Sequence, residues 1–361
     1  AEMPATDYAV LVLANIGQET DAWGVSRIPA TAATAVNLYS DPARREALQN
    51  RWEEGLRELA LAAEAGSDHQ LTFVRSYAGA ARSEQALSFV EALLDGTEQL
   101  EGLAVDQDLR WSLVTSLAAA GRAGDRIEQE LARDSTISGQ EHAAAARAAQ
   151  PDADAKAEAW RLAVLDESTP NETARSIVFS FVRTGQEELL APYVEKYLTA
   201  GEQAWEHLGT HRASTVLGYI FPTPLASPEL VEKVESWLAT TDAPVPAQRY
   251  VREGLADAQR ALAALWGGSE DLPDPTGPET ASASAAVIDP VDALDVRLAE
   301  AEVATSIAVI DRERTLSRPD VTVSVGARQF RGTDDTALVF GASMPLGLFD
   351  RNQGNIAEAN A

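Results

Sequence analysis

The chain has 361 residues, 45% of them apolar, with no Cys, and its 56 acidic against 29 basic side chains give a formal net charge of −27. At about 150 residues per domain there is room for two domains. The missing Cys excludes disulfides, Cys-ligated zinc and thiol catalysis, and the charge repels phosphate backbones and anionic membranes, so nucleic acid is not an expected partner.

The opening Ala1-Glu2-Met3-Pro4 lacks a basic leader followed by an apolar stretch, so no secretory signal is expected. No apolar run approaches the ~18 residues of a spanning helix. Membrane association is not expected of residues 1–266, for which the cytoplasm is the expected compartment. Helical patterning then recurs in about a dozen segments of roughly 10–22 residues. Asp41-Pro42 reads as a helix start, Asp capping and Pro at the first helical position. Leu48, Trp52, Leu56 and Leu59 follow as one apolar face. Asn171 precedes another helix bearing Ile177, Phe181 and Val182, and Gly185 falls in the turn after it. Leu189, Leu190, Tyr193 and Tyr197 carry the next face, and Ser227-Pro228-Glu229 opens a helix striped by Leu230, Val234 and Trp237. β-branched alternation is nearly absent. The expected fold is mainly α: an irregular HEAT-like array of antiparallel helix pairs over residues 1–266. The Trp and Tyr residues all precede position 267 and read as core, with a ligand-cavity lining as the alternative.

Four stretches carry a resemblance: Ala14–Asp21 (ANIGQETD), Ala65–Leu71 (AGSDHQL), Leu103–Trp111 (LAVDQDLRW) and Gln186–Tyr197 (QEELLAPYVEKY). In this order they resemble the C-terminal helical domain of aminopeptidase N, the domain also found in the endoplasmic-reticulum aminopeptidases. The resemblance covers nearly all of residues 1–266 and begins inside that domain. It implies a non-catalytic piece that covers the active site of a zinc metallo-aminopeptidase and walls its peptide chamber. The implied partners are a catalytic aminopeptidase domain or a peptide substrate.

Such an enzyme holds zinc with H-E-x-x-H and a further Glu, and grips the substrate amino terminus with G-x-M-E-N. Neither motif is present: none of His69, His142, His207 and His211 is followed by Glu, and neither Met3 nor Met344 precedes Glu. No catalytic, metal or cofactor-binding residue is therefore assigned, and no cofactor is expected in this chain, zinc belonging to the parent family. Inactivity alone is the expectation. His207 and His211 stand four apart, a spacing that suits a metal on one helix face, but the intervening Gly209 argues for ordinary packing or solvent-facing side chains. Asp106 with Asp108 and Asp152 with Asp154 read as helix caps rather than catalytic pairs. Glu53 and Glu54 read as a solvated face. There is no nucleophile elbow and no phosphate loop.

Residues 267–289, rich in Pro, Gly, Ser and Thr, read as a flexible linker. Pro290 opens a long helix to about Leu316, ended before Pro319. Val321–Arg328 alternates strictly, Gly332–Asp335 turns, and Thr336–Met344 returns as a second strand, a β-hairpin. Strands of ~9–11 residues suit an outer-membrane barrel, or a hairpin half-buried on another core. Arg318–Val323 (RPDVTV), Thr333–Thr336 (TDDT) and Met344–Ile356 (MPLGLFDRNQGNI) resemble the TolC-like outer-membrane efflux proteins of the CzcC heavy-metal group, over roughly 290–361. That resemblance implies one helix, one hairpin and the start of another helix of a trimeric channel. Asp350, Asn352 and Gly354 lack the later Glu of a calcium loop, position 361 being Ala, and read as a turn into a helix. Both ends of the chain read as cut.

Three functions follow. The first is a composite reading frame, an aminopeptidase helical domain joined to an efflux-channel fragment. The second is a stand-alone helical-repeat scaffold binding peptides or proteins. The third is an outer-membrane efflux component.

Overall fold

The structure is a computed structural model that describes residues 3–267, 322–330 and 335–343. The chain divides into two compact units, Ala1–Pro278 and Glu279–Ala361. The expected linker at 267–289, the long helix from Pro290 and the turn at 350–354 fall almost wholly outside the described residues. In the second unit β1 (Thr322–Phe330) and β2 (Asp335–Ser343) pair antiparallel, with Val325 opposite Phe340 and Phe330 opposite Asp335. The hairpin is the one its alternation predicts, its return strand starting one residue earlier.

Among the described residues the first unit is built of helices and the turns between them. Its helices are α1 (Ala5–Asn15), α2 (Ala22–Thr34), α3 (Arg45–Ala62), α4 (Asp68–Ala80), α5 (Glu84–Asp95), α6 (Gln107–Ala119), α7 (Arg126–Arg133) and α8 (Ile137–Ala149). They continue as α9 (Ala153–Trp160), α10 (Asn171–Phe181), α11 (Glu187–Leu190), α12 (Tyr193–His207), α13 (Gly209–Tyr219), α14 (Pro228–Thr240) and α15 (Val245–Gly267). π-Helical turns follow α2 at Ala35–Tyr39 and α9 at Arg161–Leu165. Among the described residues no helix is long and apolar enough to cross a membrane.

Capping side chains set many of the starts. Ser67, Ser83, Asp106, Thr136, Asp152 and Ser227 each accept an N–H three residues on, at 2.8–3.2 Å. Asp106, Asp152 and Ser227 thus do what their sequence position suggests. Asp41 does not. Its carboxylate takes the N–H of Ala43 at 2.9 Å, two residues on, and closes a turn of its own. The helix begins only at Arg45. Asn171 is the first residue inside α10, preceded by Pro170, rather than its cap, and Val182 lies just past its end. The apolar face from Leu189 to Tyr197 is split between α11 and α12. The break falls at Ala191-Pro192, where Pro has no N–H to continue the first helix.

Alternate helices form one row, α2, α4, α6, α8, α10, α13 and α15, each packed on the next. The others pair with a member of that row: α3 with α4, α5 with α6, α7 with α8, α12 with α13, α14 with α15. This is the stacked-pair logic of a solenoid, in which each stripe is buried by its neighbours. The row curls until α15 packs against the π-turn Ala35–Tyr39 near the other end. Helix α8 is the hub, touching α6 and α10. Its buried face is Ala143, Ala146, Ala148 and Ala149, whose small side chains admit close approach. Ala143 and Ala146 join the core built on Trp52, Tyr77 and Trp111, and Ala148 joins the one built on Trp160, Phe181 and Tyr197.

The same helix carries an uncommonly close contact. A Cβ placed on Gly139 would lie 2.0 Å from the carbonyl oxygen of Asp134. That oxygen is backbone and does not rotate away, so Gly139→Ala is expected to destabilise the chain by about 1–3 kcal/mol. The check is the thermal midpoint of the helical CD signal, and an unchanged midpoint would show that this contact gives way freely.

Candidate functional site

The side chains with metal or acid–base potential are dispersed. Helix α12 ends at His207, and Gly209 takes a φ of +72°, a left-handed value that L side chains rarely adopt, so the chain turns before α13. His207 and His211 therefore do not share one continuous helix face, and both are exposed. His207 lies 4.0 Å from exposed Glu167. His69 Nε2 meets the carbonyl of Glu19 at 2.7 Å, and the His142 ring stacks on Trp111. Among the described residues no group of three or more His, Asp or Glu is placed to hold a metal ion.

One acidic residue reads differently in the structure. Glu54 is exposed, in an ion pair with Arg57, but Glu53 is buried. Its carboxylate accepts the backbone N–H of Arg82 at 2.7 Å and of Ser83 at 3.1 Å, and the Ser83 hydroxyl. Glu53 is a second cap on α5, supplied by α3. The expectation of a solvated face fails because the start of α5 covers that side of α3, which local periodicity does not reveal.

Buried polar groups concentrate where helices of the row end. Carbonyls at a helix C-terminus have no partner of their own and carry the negative end of the macrodipole. Lys156 Nζ, wholly buried, donates to Ala148 O at the end of α8 and to Phe181 O at the end of α10, both at 2.7 Å. Gln186 Nε2 donates to Ala119 O at the end of α6 (3.0 Å) and to Ala149 O (2.9 Å). Arg110 spans α5 and α7, giving one N–H to Leu94 O and two to the carboxylate of Glu130. Arg212, on α13, closes the π-turn after α9 and the loop beyond it. The Trp111 indole donates to Asp134 at 2.9 Å, and the Thr136 hydroxyl, then this indole, hold the Asp134 carboxyl below its ordinary range. These arrangements join helices and present nothing to a substrate. Lys156 and Arg212 had a signal in the sequence: each sits in an apolar stripe, Lys156 with Ala159, Trp160 and Ala163, Arg212 with Val216.

A cavity of about 220 Å³ lies between α2, the π-turn after it, α3 and α4. Its walls include Pro29, Ala33, Val36, Trp52 and Leu56, and Arg82 stands among its polar lining. Trp52 is 2% exposed, and its Nε1 has no hydrogen-bond partner. Here the alternative reading of the aromatic residues, as cavity lining, finds an instance. Trp111 and Trp160 are core as expected, whereas Trp23 and Tyr219 are exposed.

Residues 1–260 match the family described as the ERAP1-like C-terminal domain. Aminopeptidase N of Streptomyces lividans is 41% identical over 265 residues, 73% of this chain and 31% of that protein. The cobalt-zinc-cadmium resistance protein CzcC of Cupriavidus metallidurans is 37% identical over 122 residues, 29% of this chain and 27% of that protein. The chain spans less than a third of the length of either relative.

Proposed function

We propose, from the premise that this chain belongs to the ERAP1-like C-terminal domain family, that residues 1–260 are the non-catalytic helical domain of a zinc aminopeptidase. In that role the array covers the active site and walls the peptide chamber, in the cytoplasm, with a catalytic domain as partner. The observation that carries this reading is the 41% identity to Aminopeptidase N over 265 residues, together with the donor set. A peptidase of the H-E-x-x-H kind holds its zinc with two His four apart on one helix and a further Glu. The sequence has no H-E-x-x-H, and no such trio stands among the described residues. The residues present do not fit the metal, and no hydrolytic step is assigned to them.

The test uses the full chain. Supplied with zinc, it is expected to release no N-terminal residue from an amino-acid amide. Mixed with Streptomyces lividans aminopeptidase N lacking its matched segment, it is expected to co-elute with that protein and change its peptide turnover. Zinc-dependent release by the chain alone would overturn the non-catalytic reading. Failure to co-elute would overturn the covering role.

A second reading concerns the other unit, supported by the similarity to CzcC and by the hairpin of nine-residue strands. It is a fragment of an efflux channel, and the whole is a composite reading frame. Among the described residues the sheet has two strands, and two strands cannot close a barrel. Sequencing across codons 266–290 from intact genomic DNA is expected to separate the two parts. One uninterrupted gene recurring in independent isolates would overturn the composite reading.

A further inference from the structure

The cavity between α2, α3 and α4 is lined by five polar side chains, Ser26, Asn37, Gln49, Ser76 and Arg82, and by no Asp or Glu. The direction of the hydrogen bonds among them follows from Arg82. A guanidinium only donates, so Asn37 turns its oxygen to Arg82 Nη2, at 3.2 Å. The same oxygen lies 2.8 Å from the Gln49 amide, which therefore presents its nitrogen. Two valences are left over: Asn37 Nδ2 donates to nothing and Gln49 Oε1 accepts nothing. Neither atom is sealed in the interior. Among the described residues the partnerless side-chain atoms shut off from water are Trp52 Nε1, Thr169 Oγ1 and Gln186 Oε1. The Trp52 indole thus takes no part, while an open donor and an open acceptor flank one amide–amide hydrogen bond. The oxygen and nitrogen of an amide are about 2.2 Å apart. Across the 2.8 Å bond the open ends therefore lie within about 7 Å of each other. A third carboxamide, with a hydrogen bond of about 2.9 Å on each side, reaches across that distance. The Ser26 and Ser76 hydroxyls make no hydrogen bond among the described residues and can turn to donate or accept, so they favour no ligand class. Arg82 also donates to Thr184 O at 3.4 Å, and Glu187 and Glu53 stand in its field, so its charge is compensated in place.

We propose that this cavity binds a small uncharged carboxamide, whose oxygen takes the Asn37 amide N–H and whose nitrogen donates to Gln49 Oε1. Its hydrocarbon body lies against Pro29, Val36 and Leu56. A dry cavity of about 150 Å³ holds benzene, so 220 Å³ admits about nine non-hydrogen atoms, the size of benzamide. A ketone has no proton for Gln49. A carboxylate sets its charge against that oxygen, and the net charge of −27 repels it further. An amidinium cannot accept from Asn37. This site is separate from the covering role proposed for the array and stands or falls without it.

Four probes of matched size separate the possibilities: benzamide, acetophenone, benzoate and benzamidine, titrated calorimetrically into the full chain. Benzamide is expected to bind saturably at one per chain, about fivefold to tenfold more tightly than acetophenone, the worth of one neutral hydrogen bond. Benzoate and benzamidine are expected to bind more weakly than benzamide. Gln49→Met keeps the length and removes the acceptor, and should bring benzamide down to the affinity of acetophenone. Gly79 lines the cavity, and a Cβ there would meet nothing within 4 Å. Gly79→Leu should therefore obstruct the site and abolish binding of benzamide while the helical CD signal stays intact. That variant carries the test if Gln49→Met fails to fold. The proposal is overturned by absence of saturable benzamide binding, by any of the other three probes binding as tightly, by a benzamide preference that survives Gln49→Met, or by full binding in a folded Gly79→Leu.

Discussion

Replacing Arg212 by Met is expected to destabilise the first unit by about 3–5 kcal/mol. The side chain is 4% exposed, and its guanidinium serves four backbone oxygens. Nε donates to Ala163 O at 2.9 Å, Nη1 to Thr169 O at 3.1 Å, and Nη2 to Asp166 O at 2.9 Å and to Leu162 O. These carbonyls belong to the π-turn that ends α9 and to the loop after it, where Asp166 O also accepts the Thr169 N–H at 3.2 Å. Burial opposes the Arg212 charge, and Asp166 and Glu167 support it. Met has a comparable length and no donor, so Ala163 O, Leu162 O and Thr169 O lose this partner, while Asp166 O keeps the Thr169 N–H. Each such acceptor costs about 1–3 kcal/mol, less where it can turn to water. Arg212→Lys should recover only part of the loss, since one ammonium has three donors where the guanidinium has five in a fixed fork. The midpoint of urea unfolding followed by CD reads the effect, and hydrogen exchange should place it at residues 161–169. A loss below about 1 kcal/mol would show that these bonds are replaceable by water.

Replacing Lys156 by Met is expected to change how stability depends on pH. The folded amine titrates at about 7, below its ordinary 10.5, chiefly because burial disfavours its charge and secondly because Arg183 is near. Between those values the unfolded chain holds a proton that the folded chain does not. Stability therefore rises as pH climbs through this window, and the gain is absent below pH 7. At 1.36 kcal/mol per pH unit the full increment is at most about 5 kcal/mol. The two carbonyls at 2.7 Å and the Phe181 ring, whose centroid is 5.3 Å away, favour the cation and reduce it. Lys156→Met removes this dependence and leaves Ala148 O and Phe181 O without their donor. The wild-type advantage over the variant should thus widen by about 2–4 kcal/mol from pH 6.5 to pH 10. Taking the difference between the two proteins cancels other titrating groups. Parallel pH profiles would show that the amine keeps its proton in the fold.

Several elements were legible from local chemistry. Asp106, Asp152 and Ser227 cap helices because the capping bond reaches only three residues ahead. The hairpin followed from period-two alternation, and Trp111, Trp160 and Phe181 lie in the core where the helical stripe puts them. Asp41 defeated the same logic, because a carboxylate that satisfies an N–H two residues on closes a turn as readily as it starts a helix. Glu53 defeated it for another reason: its partners, Arg82 and Ser83, stand some thirty residues away on the neighbouring pair.

The sequence by itself determined the fold class, the two families it resembles and the absence of the zinc motif, since helical periodicity, capping and motif spacing are properties of residues close together along the chain. Tertiary structure alone decided which helix ends Lys156, Gln186 and Arg212 close, that α15 returns to the turn after α2, and that a space stays open beside Trp52. Those features depend on the distance between helices, which is set by how side chains from separate segments interlock, and no local pattern encodes it.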